Sequence, residues 1–213
     1  AYDAIDQLVG VTLPGGRTIE YEYDPAGNRV AVIDDGVRTA YTANALNQYA
    51  QVGDTSRTYD ADGNLIRVRE AGGQDRATYA YDDEDRLIAF SGGGTSVQYE
   101  YDALGLRIAK VENGVRTEYL TDPTGLGQVA AEYGAGGAAI ARYAYGDSQL
   151  VSRFDAAGAA AFYDFDAIGS TVALTDGGGA VANRYSYLPF GESLARTETI
   201  ANPFEYVGRF GVQ

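Results

Sequence analysis

The sequence predicts an all-β chain of tandem antiparallel β-hairpin repeats, and three observations carry that prediction. A tyrosine-led phrase, in full form Tyr-x-Tyr-Asp followed by a glycine or asparagine turn, recurs from one end of the 213 residues to the other. The stretch after each turn alternates apolar or β-branched residues with polar ones, which is the two-residue period of a strand. Composition agrees, since 18 of the aromatic residues are tyrosine, glycine reaches 28, and tryptophan and methionine are absent. Such a mixture suits flat strands and tight turns rather than a helical core.

Taken in order, the copies begin at Tyr2-Asp3. Tyr21, Tyr23 and Asp24 lead into the turn that holds Gly27, and a degenerate copy runs from Tyr41. Tyr59 and Asp60 meet Gly63, Tyr79, Tyr81 and Asp82 follow, and Tyr99, Tyr101 and Asp102 meet Gly105. Looser copies are Tyr119 with Asp122 and Gly125, Tyr143 with Tyr145, Tyr163 and Phe165 with Asp166 and Gly169, and Tyr185 and Tyr187 with Gly191. The slot of the phrase's aspartate falls at 3, 24, 44, 60, 82, 102, 122, 146, 166 and 188, ten copies mostly 20 to 22 apart. Paired aromatics at i and i+2 share one face of a strand. Asp starts a turn, Pro presets φ, and Gly or Asn accepts positive φ. Second strands such as NRVAVI, NLIRVR and LRIAKV then return to glycine-rich tips at Gly72-Gly73, Gly92-Gly93-Gly94 and Gly177-Gly178-Gly179. Two strands of about seven residues with two turns use about twenty residues. The helix-friendly stretches AAGAAAF and GAGGAAIARY are short and broken by glycine. With no linker or composition shift, residues 1–213 read as one continuous array.

Inventory excludes several function classes. There is no cysteine and no histidine, which removes disulfides, thiol nucleophiles and histidine bases. Thirty acidic residues against 16 basic ones give a net charge of −14, which repels phosphate backbones and anionic lipid surfaces, so no nucleic-acid partner is expected. Lys110 is the single lysine. No window approaches the roughly 20 apolar residues of a membrane span, so membrane insertion is not expected. Ala1 opens in mid-pattern, as expected of a piece of something longer.

About twenty strands at roughly 4.8 Å each make a ribbon about 95 Å long and about 23 Å wide. Open twisted sheets of that length curl. A single closed turn would have a diameter of about 30 Å, too wide for one layer of side chains to fill, so the expected object is a long curved ribbon with a hollow side.

The phrase YxYDxxGN[RL][LIV] at this period closely resembles the RHS/YD-repeat family, which includes bacterial Rhs toxins, C subunits of insecticidal toxin complexes and animal teneurins. The resemblance covers essentially the whole chain. It implies a β-ribbon that winds into a hollow shell, enclosing in bacterial members a toxic C-terminal polypeptide, in a secreted or cell-surface protein. The partners it implies are other YD repeats of the same larger protein and the enclosed polypeptide cargo. SYLPFGES from Ser186 and NPFEYVGRF from Asn202 resemble the last repeats before the RHS core-associated region, so residues 202–213 are the expected lead-in to it, with the family's cleavage motif expected beyond Gln213.

Candidate chemistry is sparse, and neither an enzyme nor a cofactor is expected. Asp24, Asp60, Asp82, Asp102 and Asp122 share one slot, so one role explains them all, accepting backbone N–H bonds in a turn. Asp122-Pro123-Thr124-Gly125 resembles the family's self-cleaving Asp-Pro segment but sits in repeat register. Asp60-Ala61-Asp62-Gly63-Asn64 starts like a calcium loop, yet Ala71 stands where a bidentate Glu is required. Asp82-Asp83-Glu84-Asp85 reads as a solvated acidic turn. The expected function is a structural wall segment that shields a cargo. Two alternatives stay open at the level of sequence: an adhesin-like surface that stacks carbohydrate on the tyrosine rows, and a surface fibre that self-associates through unpaired edges.

Overall fold

The structure is a computed structural model that describes residues 1–122, 127–147 and 149–211. Among these residues regular structure is strand, apart from one 3-10 turn at Gly208–Phe210. The all-β class of antiparallel hairpins is therefore what the chain adopts. It divides into two compact units, Ala1–Val97 and Gln98–Gln213.

The first unit contains β1 (Gly10–Thr12), β2 (Thr18–Tyr23), β3 (Arg29–Asp34), β4 (Val37–Ala43), β5 (Tyr49–Val52), β6 (Thr55–Tyr59), β7 (Leu65–Arg69), β8 (Asp75–Tyr81) and β9 (Leu87–Gly92). Each pairs antiparallel with the next. β10 (Thr95–Tyr101) runs through the boundary. The second unit continues with β11 (Arg107–Glu112), β12 (Val115–Thr121), β13 (Val129–Gly134), β14 (Ala139–Gly146), β15 (Gln149–Asp155), β16 (Ala160–Phe165), β17 (Thr171–Asp176), β18 (Val181–Tyr187) and β19 (Ser193–Thr197), again an antiparallel meander.

Turn chemistry sets this register. At Asp24 the backbone closes twice, Gly27 N–H to the Asp24 carbonyl at 3.0 Å and Asp24 N–H to the Asn28 carbonyl at 2.9 Å. Gly27 takes φ 85°, and Asn47 and Asp85 take φ 58° and 59° at the same step of their turns. This is a type I turn with a left-handed fourth residue, a three-residue hairpin loop that adds a bulge. The bulge falls beside the second aromatic of the phrase, between Glu22 and Tyr23, Thr58 and Tyr59, Ala80 and Tyr81, and Ser186 and Tyr187. The opposite ends of many hairpins close through two residues, Asp35-Gly36, Gly93-Gly94 and Asn113-Gly114, with both φ values positive in each, the geometry that matches strand twist. At the copy whose aspartate slot is Gly146, Asp147 has φ 50° and the long turn is lost.

Burial is uneven. The first unit buries only scattered side chains, among them Ile19, Tyr21, Val68 and Ala77. The second has a continuous cluster of Val129, Ala141, Tyr143, Leu150, Ala161, Tyr163, Leu174, Tyr185 and Phe204.

Candidate functional site: the tyrosine face

The aspartates of the phrase hold the turns. Asp24 Oδ1 accepts the N–H groups of Ala26 at 2.9 Å and Asn28 at 2.8 Å, while Oδ2 accepts the Asn28 side-chain amide at 3.0 Å. Asp60, Asp82, Asp102 and Asp166 accept the corresponding pair of backbone donors. Asn44 does the same with a neutral amide oxygen. These bonds favour the charged form, and the Asn28 side chain and backbone hold the Asp24 carboxyl below its ordinary range. At Asp60 and Asp82 burial works in the opposite direction and is outweighed by such bonds. The Asp60 carboxylate oxygens of the calcium-like segment are thus spent on their own turn. In the acidic run, Asp82 and Glu84 both bind Arg86 at 2.7 Å, and Asp85 accepts from Asn64 at 2.7 Å. Among the described residues no group of three or more acidic, cysteine or histidine side chains is arranged to hold a metal ion. Gly125, with Pro123 and Thr124 of the Asp-Pro segment, lies outside the described residues.

The second aromatic of the phrase ties one repeat to the one before. Tyr23, Tyr59, Tyr145 and Tyr187 donate their hydroxyls to the carbonyls of Leu8, Tyr49, Val129 and Thr171 at 2.9 to 3.0 Å. Each acceptor is the first residue after the preceding turn, so the same tie recurs along the chain. Burial pushes the hydroxyl pKa up at Tyr23, Tyr59, Tyr81, Tyr145 and Tyr187.

The first aromatic of the phrase stacks, with a filler that sequence reasoning missed. The Arg29 guanidinium lies 5.9 Å from the Tyr21 ring centre and 4.9 Å from that of Tyr41. Arg107 stands likewise 5.5 Å from Tyr99 and 5.0 Å from Tyr119. An arginine therefore bridges the rings of successive repeats, a favourable use of the aromatic quadrupole. The signal was present in the sequence, since both arginines stand five residues after the phrase's aspartate. Tyr163 and Phe165 stack within one strand at 5.8 Å. On the opposite face Glu22 pairs bidentately with Arg38, and Glu100 with Arg116, each two strands apart. The alanines of the strands between, Ala31 and Ala109, are fully buried.

In the second unit the segment after β19 folds back over the tyrosine face. Phe204, with no exposure, sits edge-on to Tyr143 at 4.9 Å and Tyr163 at 6.4 Å. Polar groups peg the strap down. Thr171 donates its N–H to the Glu205 carbonyl at 2.8 Å and its hydroxyl to the Phe204 carbonyl at 2.6 Å. Asn183, also fully buried, donates to the Ile200 carbonyl and accepts the N–H groups of Thr199 and Ile200. The Gly169 carbonyl accepts Arg209 N–H at 3.0 Å, and Gly191 lies against the Tyr206 ring, where an added Cβ would come within 2.8 Å. A hollow of about 570 Å³ remains beside the strap, lined by Lys110, Tyr119, Glu132, Tyr143, Arg153 and Asn202 among others.

Repeat, hairpin and tyrosine face have a counterpart in a known family, because the teneurin YD-shell profile matches residues 1–211. The chain belongs to the teneurin YD-shell family. Within curated proteins it is 35% identical to the tRNA nuclease WapA of Bacillus subtilis strain 168 and to the tRNA3(Ser)-specific nuclease WapA of Bacillus spizizenii, in each case over 97% of this chain. It spans 9% of the length of those relatives. Among solved structures, a Photorhabdus luminescens Tc holotoxin pore matches 98% of this YD-shell chain and 15% of its own, with 13% identity and a TM-score of 0.43. No helix among the described residues is long and apolar enough to cross a membrane.

Proposed function

We propose that this YD-shell chain is a stretch of the wall of a larger secreted or cell-surface protein, that the wall encloses a polypeptide cargo such as a C-terminal toxin, and that this stretch does no chemistry itself. The observation that carries the reading is how much of the tyrosine face is committed to holding the repeats together. Its rings stack on each other and on arginines, and the hydroxyls of Tyr23, Tyr59, Tyr145 and Tyr187 are spent on carbonyls of the preceding repeat. Lateral ties of this kind hold strands side by side where no second sheet packs against them.

The short span relative to WapA supports a division of labour, in which the nuclease activity in that name belongs to parts of such proteins other than the stretch matched here. A net charge of −14 supports it too, since this wall repels nucleic acid. Apolar side chains stand out at the tips of the aspartate turns, with Ile5 74% and Leu46 77% exposed in the first unit and Leu104 75% in the second. They favour docking against neighbouring repeats of the same larger protein. Stacking of carbohydrate lacks such support, because Tyr21, Tyr143, Tyr163 and Tyr185 are buried.

The test is protease protection of the intact protein that contains this chain. The cargo should survive digestion in that protein and be degraded once residues 1–211 are deleted. Equal degradation in both would overturn the enclosure reading, and selective retention on a glycan array would overturn the purely structural one.

A further inference from the structure

Arg153 occupies the middle of β15 and is 7% exposed. Its register partners, Tyr143 on β14 and Ala161 on β16, put it on the tyrosine face. There it lines both the hollow of about 570 Å³ beside the strap and a neighbouring one of about 580 Å³. Other arginines of this unit are engaged. Arg107 is held between two rings, Arg196 meets Glu198 and Glu205, and the Arg209 guanidinium donates to Gln149. Arg153 differs from them in being more than nine-tenths buried with no ion pair among the described residues; its Nε has no hydrogen-bond partner, as is also true of the Nε of Arg107, whose charge is however held between two rings. A guanidinium offers five N–H donors in a planar fork and does not lose its proton in a protein, so its burial calls for an acceptor of opposite charge.

A second donor waits nearby. The Tyr163 hydroxyl is also buried without a partner, and although burial pushes its pKa up, the Arg153 charge acts on it in the opposite direction. The charged groups around the first hollow are already committed. Lys110 pairs with Glu112 at 2.8 Å, and Arg196 with Glu198. Glu132 accepts the Tyr143 hydroxyl at 3.0 Å, and burial pushes its carboxyl pKa up against the opposing pull of that bond and of the Arg153 charge, with which it makes no ion pair. Arg153 stands at the edge of both hollows and the Tyr163 hydroxyl lies within reach of its charge, and the complement to such a pair of unspent donors is a planar anion with two acceptor oxygens.

We infer that Arg153, with the Tyr163 hydroxyl, forms a carboxylate-binding site on the tyrosine face, and that its ligand is an acidic side chain of a polypeptide lying on that face. That the ligand is a polypeptide rests on the enclosure reading. It is also favoured by the strap, a polypeptide already held on the same face by side-chain bonds to its backbone, from Thr171, Asn183 and Ser170.

The test follows the Arg153 Nε–H resonance in the 213-residue chain during titration with N-acetyl-glutamate N-methylamide, glutarate and inorganic phosphate. The peptide-like probe should shift that resonance. Followed calorimetrically, its binding should weaken at least tenfold in Arg153→Gln and Arg153→Met and stay unchanged in Arg57→Gln, on β6 of the first unit. Thermal melting separates loss of binding from loss of folding, and Arg153→Met keeps the volume while removing the charge. Tighter binding of glutarate would reassign the ligand to a free dicarboxylate, and equal binding of phosphate would remove the selectivity for carboxylates. No shift with any probe would overturn the site and leave an internal water as the partner of Arg153. Cargo protection reads the enclosure proposal separately, so either can fail while the other stands.

Discussion

Two residue types of the phrase do separable jobs, which mutation can tell apart. Asp24 holds its turn through Oδ1, and Asn44 performs the same task without charge. Asp24→Asn should therefore leave the urea midpoint at pH 7 almost unchanged, whereas Asp24→Ala should lower it. The charge matters in acid. A carboxyl held below its unfolded pKa contributes stability that is present above about pH 4 and lost as pH falls through the folded value. The loss of stability on acidification should accordingly be smaller in Asp24→Asn than in the parent, as read from thermal melts between neutral and acid pH. The tyrosines act through backbone ties. Tyr145→Phe keeps the ring but leaves the Val129 carbonyl without the donor that stands 3.0 Å away. It should cost about 1 kcal/mol in chemical denaturation.

Among elements, the strap over the second unit supplies the largest fully buried side chain of the described residues, Phe204, set edge-on to Tyr143 and Tyr163. Phe204→Ala should cost about 3 to 5 kcal/mol if the site cannot collapse. Limited proteolysis should then cut first between Ile200 and Arg209, ahead of the hairpin strands. A parent-like digestion pattern would mean that the polar pegs from Thr171 and Asn183 hold the strap alone. The hairpins themselves are secured differently, by turn closure at both ends and by a bulge next to the second aromatic. Losing one aspartate should loosen its own turn and leave register elsewhere intact, as hydrogen exchange would report.

Across the whole chain, the uneven burial has a thermodynamic consequence. Tyr143, Tyr145, Tyr163 and Tyr187 are pushed well above the ordinary tyrosine range, by burial in every case. All four belong to the second unit. Above about pH 10 the unfolded chain releases these protons while the folded chain keeps them, so stability falls as pH rises. Alkaline titration should show a late, cooperative rise in tyrosinate absorbance that coincides with loss of the second unit's circular dichroism. A gradual rise with no unfolding would contradict the buried environment. The first unit, with its scattered core, should also exchange its amide hydrogens faster than the strap-covered unit.

Repeat, strand direction, turn chemistry and the choice of all-β class were legible in the sequence, because each is a local property. An i, i+2 aromatic pair, an aspartate and a left-handed glycine or asparagine specify a hairpin from within about ten residues. The sharing of one slot by Asp24, Asp60, Asp82 and Asp102 was legible for the same reason. Other features depend on residues far apart in the chain, and only the tertiary structure decided them. That Tyr187 reaches Thr171, that Arg29 lies between Tyr21 and Tyr41, and that Phe204 caps Tyr143 follow from which strands become neighbours. The segment from Asn202, expected only to lead onward, is held on the tyrosine face by side chains 33 or more residues away, the Thr171 hydroxyl donating to the Phe204 carbonyl and the Ser170 hydroxyl accepting the Val207 N–H. Arg153 shows the limit most clearly. Its sequence neighbourhood shows only that it lacks the spacing of Arg29 and Arg107 from the phrase's aspartate, and its near-complete burial at the edge of a hollow without an acceptor is what turns it into a candidate site.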